Sequence, residues 1–287
     1  MLEQLKRMEQ ELNKIKRRLA LYHLLGKHDQ KTHASKKGAI SQQSSSSPLS
    51  TMKIKSSSSL GGGFNGSYIV ELDDGAKAVF KPVQEEAAIL VGDVGAGTLA
   101  DREVLAYDLD RDFFGYGIVP ETVSRKIEYV NKDGNTVTDR GSLQKWSNGQ
   151  SFVSPVTSSN NRGELFLFDV VTGNRDRHGG NILLNNDKYV AIDNGVMMRN
   201  KVFSGRSYTE RSERWLGSTV GKQIDYRLID NLDKIDRSKY RAAIKKSLGS
   251  TVADLAVNRL NEVVRIGRES ATWTEFIGKY SSVRLSE

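Results

Sequence analysis

Two short runs near the middle of the chain bring together the residue types that phosphoryl transfer requires. Asp176 and Asn181 stand five positions apart in Thr172-Gly173-Asn174-Arg175-Asp176-Arg177-His178-Gly179-Gly180-Asn181, and Asp193 follows twelve residues later in Ala191-Ile192-Asp193-Asn194-Gly195. A loop of that length can offer the Asp176 carboxylate to an acceptor hydroxyl as catalytic acid/base. The Asn181 amide oxygen and the Asp193 carboxylate are then metal ligands for the Mg²⁺ that holds the β- and γ-phosphates of ATP. The spacing also dictates structure. Asn181 to Leu184 leaves as a strand, Asn185-Asn186-Asp187-Lys188 turns, and Tyr189 to Ile192 returns, which brings Asp193 opposite Asn181. A polar turn beside a hairpin would explain either run alone; the second run at this distance favours the catalytic reading.

The elements that must position these groups are legible upstream. Gly61-Gly62-Gly63-Phe64-Asn65-Gly66 fits G-x-G-x-x-G, with Gly63, Gly66 and Ser67 as candidates for contact with phosphate. A dinucleotide fold needs a helix after these glycines. Here Ser67 to Leu72 alternates like a strand, turns at Asp73-Asp74-Gly75 and returns through Ala76 to Lys81, so the glycines belong to a hairpin. Lys81, between Phe80 and Pro82, can contact the α- and β-phosphates. A helix capped by Thr98 and Asp101 carries Glu103, placed to pair with Lys81, although Asp101 and Asp108 on the same helix could serve instead. Gly141 to Trp146 reads as the strand connecting two lobes, with Gln144 at the nucleotide. A nearly all-apolar helix over 161–171 precedes the catalytic loop, and helical periodicity continues near 219–233, 237–247, 251–268 and 271–279, with Gly249 as a stop. The expected fold is α+β and bilobal, protein-kinase-like, with a β-rich N-lobe over about 60–146 and a mainly α-helical C-lobe over about 147–287.

Five blocks in order, Asn65-Gly66-Ser67-Tyr68, Val79-Phe80-Lys81-Pro82 with Glu85-Glu86, Gly117-Ile118-Val119-Pro120, Gly141-Ser142-Leu143-Gln144 and Ala191-Ile192-Asp193-Asn194-Gly195, resemble the type II phosphatidylinositol 4-kinases and their bacterial and phage relatives. The resemblance implies Lys81 for ATP, Ser67 for phosphate contact, Asp176 as acid/base and Asn181 with Asp193 for metal. His178 looks more like the Asp-Arg-His of the broader phosphatidylinositol 3/4-kinase class, in which that histidine stabilises the transferring phosphoryl group; a packing role is the alternative. Type II lipid kinases carry a cysteine-rich, palmitoylated insert after the ATP lysine. This chain has no cysteine, and the matching stretch, Ala87 to Gly97, is short and apolar. Stable membrane attachment usually takes two signals, and the lipid one is missing. The expectation is therefore an ATP- and Mg²⁺-dependent kinase acting on protein Ser/Thr, itself included, with phosphatidylinositol 4-kinase activity on a phosphoinositide lipid and a noncatalytic pseudokinase or phage structural component as alternatives. The basic run of Arg199, Lys201, Arg206, Arg211 and Arg214 would suit an inositol phosphate headgroup or an acidic peptide equally.

The chain has 287 residues and a net charge of +8. Residues 1–60 hold 12 Lys/Arg against 4 Asp/Glu, so the excess lies wholly outside the expected catalytic domain. Over residues 1–25, Met1, Leu5, Met8, Leu12, Ile15, Leu19 and Tyr22 repeat in steps of four and three, as in an amphipathic or coiled-coil helix that forms a homo-oligomer or docks on a partner. Residues 26–59, basic and Ser-rich, read as a disordered linker whose serines at 44–47 and 56–59 are accessible to self-phosphorylation. No aromatic stacking pattern accompanies the basic residues, so nucleic acid is not an expected partner. Lys27 to His33 looks like a stretch of tailed-phage head proteins. The lack of a secretory signal, a membrane-spanning apolar run or cysteine fits a cytoplasmic setting, that of the host if phage-encoded.

Overall fold

Alternating burial along short strands builds the first sheet. The computed structural model describes residues 47–61, 65–87, 94, 97–151, 159–199, 205–209 and 212–283. Helix α1 (Pro48–Thr51) leads into β1 (Ile54–Ser59), β2 (Tyr68–Leu72) and β3 (Lys77–Pro82). After helix α2 (Leu99–Leu109), strands β4 (Thr122–Val130) and β5 (Thr136–Lys145) complete an antiparallel sheet of order β1-β2-β3-β5-β4. Tyr68, Val70, Leu72, Ala78, Phe80, Ile127, Tyr129 and Leu143 form its buried side with Leu49 of α1. Successive side chains of a strand point to opposite faces, so burying Ala78 and Phe80 turns Val79 and Lys81 toward the cleft.

Strand β1 corrects the expected boundary of the disordered linker. Ser56 to Ser59 lie in register with Glu71 to Tyr68 of β2. An edge strand needs only backbone donors and acceptors on one side, which serine supplies as well as valine, so a polar composition did not prevent pairing. Ser47 is fixed as well: its Oγ accepts from Leu49 N at 3.1 Å and donates to Glu121. The expected helix over 1–25 and the linker as far as 46 lie outside the described residues.

Helix α2 starts as the capping residues dictate. Thr98 Oγ1 accepts from Asp101 N at 3.0 Å, Asp101 Oδ2 accepts from Thr98 N at 3.2 Å, and the Glu86 carboxylate takes the next two free donors, Leu99 N and Ala100 N, at 3.0 and 2.8 Å. A π turn, Asp110–Phe114, extends the helix to Gly115 at φ 66°. The buried Asp110 carboxylate accepts from the N–H groups of Tyr116, Gly117, Ile118 and Val119 at 2.7–3.1 Å, and Ile118 O in turn accepts from Ala191 N at 2.8 Å. This nest ties the end of α2 to the strand that delivers Asp193. An Asp110→Asn substitution removes the charge from four buried hydrogen bonds and turns one oxygen into a donor. It is expected to cost about 2–3 kcal/mol, seen as a lower urea midpoint at unchanged m-value.

The second lobe is mainly helical. β6 (Gln150–Ser151) precedes α3 (Arg162–Thr172), and β7 (Ile182–Asn185) and β8 (Lys188–Ala191) form an antiparallel hairpin. Asn186 and Asp187 at its tip have φ 46° and 58°, the left-handed pair of a two-residue type I′ turn. The chain then runs through α4 (Gly205–Thr209), α5 (Tyr226–Asp233), α6 (Arg237–Leu248), α7 (Ser250–Arg268) and α8 (Trp273–Ser281). Leu165, Phe166, Leu167, Phe168, Val170 and Val171 of α3 are fully buried, and of the helix's residues only Gly163 and Glu164 are partly exposed. The helix expected from 219 starts only at Tyr226: Glu213–Thr219 is 3₁₀ with Gly217 at φ 51°, and Asp225 caps α5 by accepting from Arg227 N at 3.1 Å. Gly249 ends α6 at φ 87°, as expected. Among the described residues no helix is long and apolar enough to cross a membrane.

Candidate active site

Lys81 is the centre of the cleft. It leaves β3 between buried Phe80 and Pro82, and its Nζ donates to Glu103 of α2 and, at 2.8 Å, to Asp193 Oδ1. Burial pulls the ammonium down, but the Asp193 and Glu103 carboxylates more than offset it and hold its pKa above the ordinary lysine value. Glu103 is thus the partner of Lys81 rather than Asp101 or Asp108. Asp101 pairs with Arg140 and Asp108 with Arg111.

The loop from Asn174 to Asn181 is built by hydrogen bonds to its own backbone. Asn174 Oδ1 accepts from Asp176 N at 3.0 Å, and Asn181 Nδ2 donates to Asp176 O at 3.0 Å. The second bond ties the amide nitrogen down and leaves Oδ1 as the atom able to face a cation. Ile192 N donates to Asn181 O at 3.1 Å, so Asn181 and the segment carrying Asp193 meet as the hairpin spacing requires. Asp193 has φ 57°, a left-handed turn that swings its half-exposed carboxylate to Lys81. Two oxygen donors beside an ammonium, without sulfur, suit a hard divalent cation with its phosphate ligands. His178 is exposed, and its Nδ1 accepts from Gly180 N at 3.0 Å, which leaves Nε2 as the donor.

Beneath the loop lies a residue that sequence reasoning passed over. Arg177 is fully buried: Nε and Nη2 donate to the Asp169 carboxylate of α3 at 3.0 and 2.9 Å, Nη1 to Asn181 O at 2.6 Å and Ile192 O at 2.9 Å, and Nη2 also to Asn194 Oδ1 at 2.6 Å. Asn194, equally buried, donates its N–H to Glu103 Oε2 at 3.0 Å. One guanidinium therefore links α3, the loop of Asp176 and Asn181 and the segment around Asp193, and Asn194 carries the link to the partner of Lys81. A second buried guanidinium, Arg102, donates to the carbonyls of Val94, Thr98, Met197 and Met198 at 2.8–3.3 Å, which joins α2 to the residues after Asp193. Burial brings its pKa down to about 10, still charged at neutral pH.

Leu60, Ser67, Val79, Lys81, Gln144, Trp146, Gly180, Leu183, Ile192 and Asp193 border a cleft between the lobes. Gln144 faces it from β5, its Nε2 donating to Thr122 Oγ1 at 2.9 Å. Ser67 lies on its wall. Gly66 does not, for its N–H donates to Glu85 O at 3.0 Å, and Gly63 lies outside the described residues. The structure thus brings Ser67, Lys81, Gln144 and Asp193 to the wall of one cleft, with Glu103 joined to it through Lys81; of the loop from Asp176 to Asn181, Gly180 borders the cleft, while Asp176, His178 and Asn181 are not among its lining residues.

The two-lobe architecture is protein-kinase-like. No protein-family description matches the sequence, and no curated protein is similar to it. Among solved structures, the Golgi casein kinase with Mn and ADP bound is similar at a TM-score of 0.53 and 14% identity, over 82% of this chain and 75% of that one. A second structure of the Golgi casein kinase gives 0.52 at 14% identity, over 82% of this chain and 74% of that one. The structure of hydra Fam20 with sugar gives 0.48 at 16% identity, over 81% and 88%. At such identities the similarity establishes the fold alone, and these structures do not show the phosphatidylinositol kinase class expected from the sequence blocks.

Proposed function

We propose that the chain is an ATP- and Mg²⁺-dependent kinase that phosphorylates protein Ser/Thr hydroxyls. The observation that carries this reading is Lys81 held between Glu103 and Asp193, with Asp193 tied through Asn194 and Arg177 to the loop of Asp176 and Asn181. A bound Mg²⁺–ATP would supply the transferable phosphoryl group and neutralise its developing charge. Lys81 would orient the α- and β-phosphates, Asn181 Oδ1 and the Asp193 carboxylate would hold the cation, and Asp176 would take the proton of the acceptor hydroxyl. His178 Nε2 is the donor available to the phosphoryl oxygens. That the Golgi casein kinase has been seen with Mn and ADP supports the nucleotide and divalent-metal part.

Protein is favoured over lipid as acceptor by the absence of cysteine for lipidation. We further propose, from the heptad spacing alone, that residues 1–25 form a helix that pairs with a second copy of the chain or docks on a partner. Serines 56–59 are held in β1 and Ser47 caps α1, which removes them from the expected self-phosphorylation targets and leaves Ser44, Ser45 and Ser46. Incubation of the full chain with labelled ATP and Mg²⁺, with and without phosphatidylinositol vesicles, is expected to label the protein at 44–46 by mass spectrometry and to leave the lipid unlabelled. A labelled lipid with unlabelled protein would replace this reading with the lipid-kinase one, and label on neither, with host extract also present, would favour a noncatalytic role.

A further inference from the structure

The Gly-rich loop is held from behind by a polar cluster that no step of the proposed reaction uses. Gly66 N donates to Glu85 O at 3.0 Å, and Ala87 N donates to Asn65 Oδ1 at 2.7 Å, so the end of the loop is tied twice to the segment that follows Lys81. The Glu85 side chain lies directly against Gly66, where a Cβ would come within 2.3 Å of Oε2. The carboxylate is fixed in turn: the hydroxyls of Tyr68 and Tyr129 donate to Oε1 at 2.7 and 2.9 Å. Both rings belong to the buried side of the sheet, with centroids 4.6 Å apart. Burial, with Glu85 adding to it, pushes the Tyr68 hydroxyl up to about 12, so it stays a donor throughout the neutral range. Tyr68 also accepts from Lys132 N at 3.1 Å, which brings in the β4–β5 turn.

We propose that Glu85 is the positioning residue of the phosphate loop: its carboxylate, clamped by Tyr68 and Tyr129, holds the Asn65-Gly66 backbone from behind and so sets the place of Ser67 on the wall of the nucleotide cleft. The assignment rests on the nucleotide-binding reading of the cleft. Glu85 and Glu86 stand side by side after Lys81 and act in opposite directions, Glu86 capping the helix of Glu103 and Glu85 holding the loop. Lys81 is thereby fixed in register with both parts that surround the phosphates. A carboxylate is suited to this because it accepts two hydroxyl donors at once and leaves its backbone carbonyl free for Gly66.

The test compares Glu85→Ala, Glu85→Gln and Tyr129→Phe in the full chain by nucleotide affinity, the KM/kcat split and amide exchange at residues 65–68. Glu85→Ala is expected to raise the KM for ATP and the Kd for a nonhydrolysable ATP analogue about tenfold, with kcat changed less than about threefold. Exchange of the Gly66 amide should quicken by a similar factor. Glu85→Gln, which keeps one acceptor and the shape, is expected to restore most of both, and Tyr129→Phe to shift them less in the same direction. Wild-type affinity and exchange in Glu85→Ala would overturn the assignment, as would a loss of melting temperature alone. Should Glu85→Ala fail to fold, unchanged loop exchange and affinity in Tyr129→Phe overturn it equally. If the wild-type protein binds no nucleotide, the kinase reading fails, while exchange at 65–68 in the unliganded variants still decides whether Glu85 holds the loop.

Discussion

Asp193→Ala is expected to abolish phosphoryl transfer and Mg²⁺-dependent nucleotide affinity together, whereas Asp176→Asn should abolish transfer and leave nucleotide binding intact. The difference follows from what each carboxylate touches. Asp193 Oδ1 accepts from Lys81 Nζ at 2.8 Å, on the side of the cleft where phosphates and cation would sit. Asp176 stands on the loop whose Asn181 it steadies through its carbonyl, and in the proposed reaction its carboxylate would serve the acceptor rather than the cation. Transfer depends on positioning and charge neutralisation, so each loss of turnover should be on the order of 10²-fold or more. Isothermal titration with an ATP analogue, with and without Mg²⁺, alongside labelled-ATP turnover, separates the two roles. Wild-type turnover by Asp193→Ala would remove the catalytic assignment.

The parts of the fold legible in the sequence are those in which a local rule and the global structure agree. The Thr98–Asp101 capping box starts α2, Gly249 stops α6, and the turn at 185–188 brings β8 back onto β7 in the register that spacing alone requires. Strand β1 was not legible because its apolar content is a single Ile54 and its stability comes from ladder bonds to β2. Hydropathy patterning registers side chains that seek a core, and an edge strand of serines has almost none. The late start of α5 was hidden for a related reason: one glycine, here Gly221, inside a periodic run is tolerated in helices often enough to carry little signal.

Within the site, the groups that face the cleft were legible through residue type and spacing, and the groups that hold them were not. Lys81, Glu103, Asp176, Asn181 and Asp193 each follow from what a phosphate or a cation needs. Arg177, Asn194 and Glu85 touch neither, and their partners lie 4 to 91 residues away along the chain. Only the signal that Asp169 interrupts an otherwise apolar run on α3 could have pointed to a buried cation, since a carboxylate on such a helix face must be paired.

That pairing makes Arg177 the residue whose loss should damage the molecule most. Arg177→Met keeps the length of the side chain and removes the charge, leaving Asp169 fully buried with Ser212 Oγ at 3.3 Å as a remaining donor. Burial already raises the Asp169 carboxyl, with Arg177 acting against it, so without the guanidinium the group must take up a proton or draw water into the core. Breaking one side of a buried pair typically costs about 3–5 kcal/mol, a large part of the stability of a domain. The loss should also reach the chemistry, since the carbonyls of Asn181 and Ile192 and the Asn194 amide oxygen lose their common donor. The double variant Asp169→Leu with Arg177→Met separates the two effects. It removes the uncompensated charge and should recover much of the melting temperature, while turnover stays low because the loop and the metal segment are still untied. Recovery of both would show that Arg177 serves stability alone; recovery of stability without turnover is the result expected of a residue that sets the distance between Asn181 and Asp193.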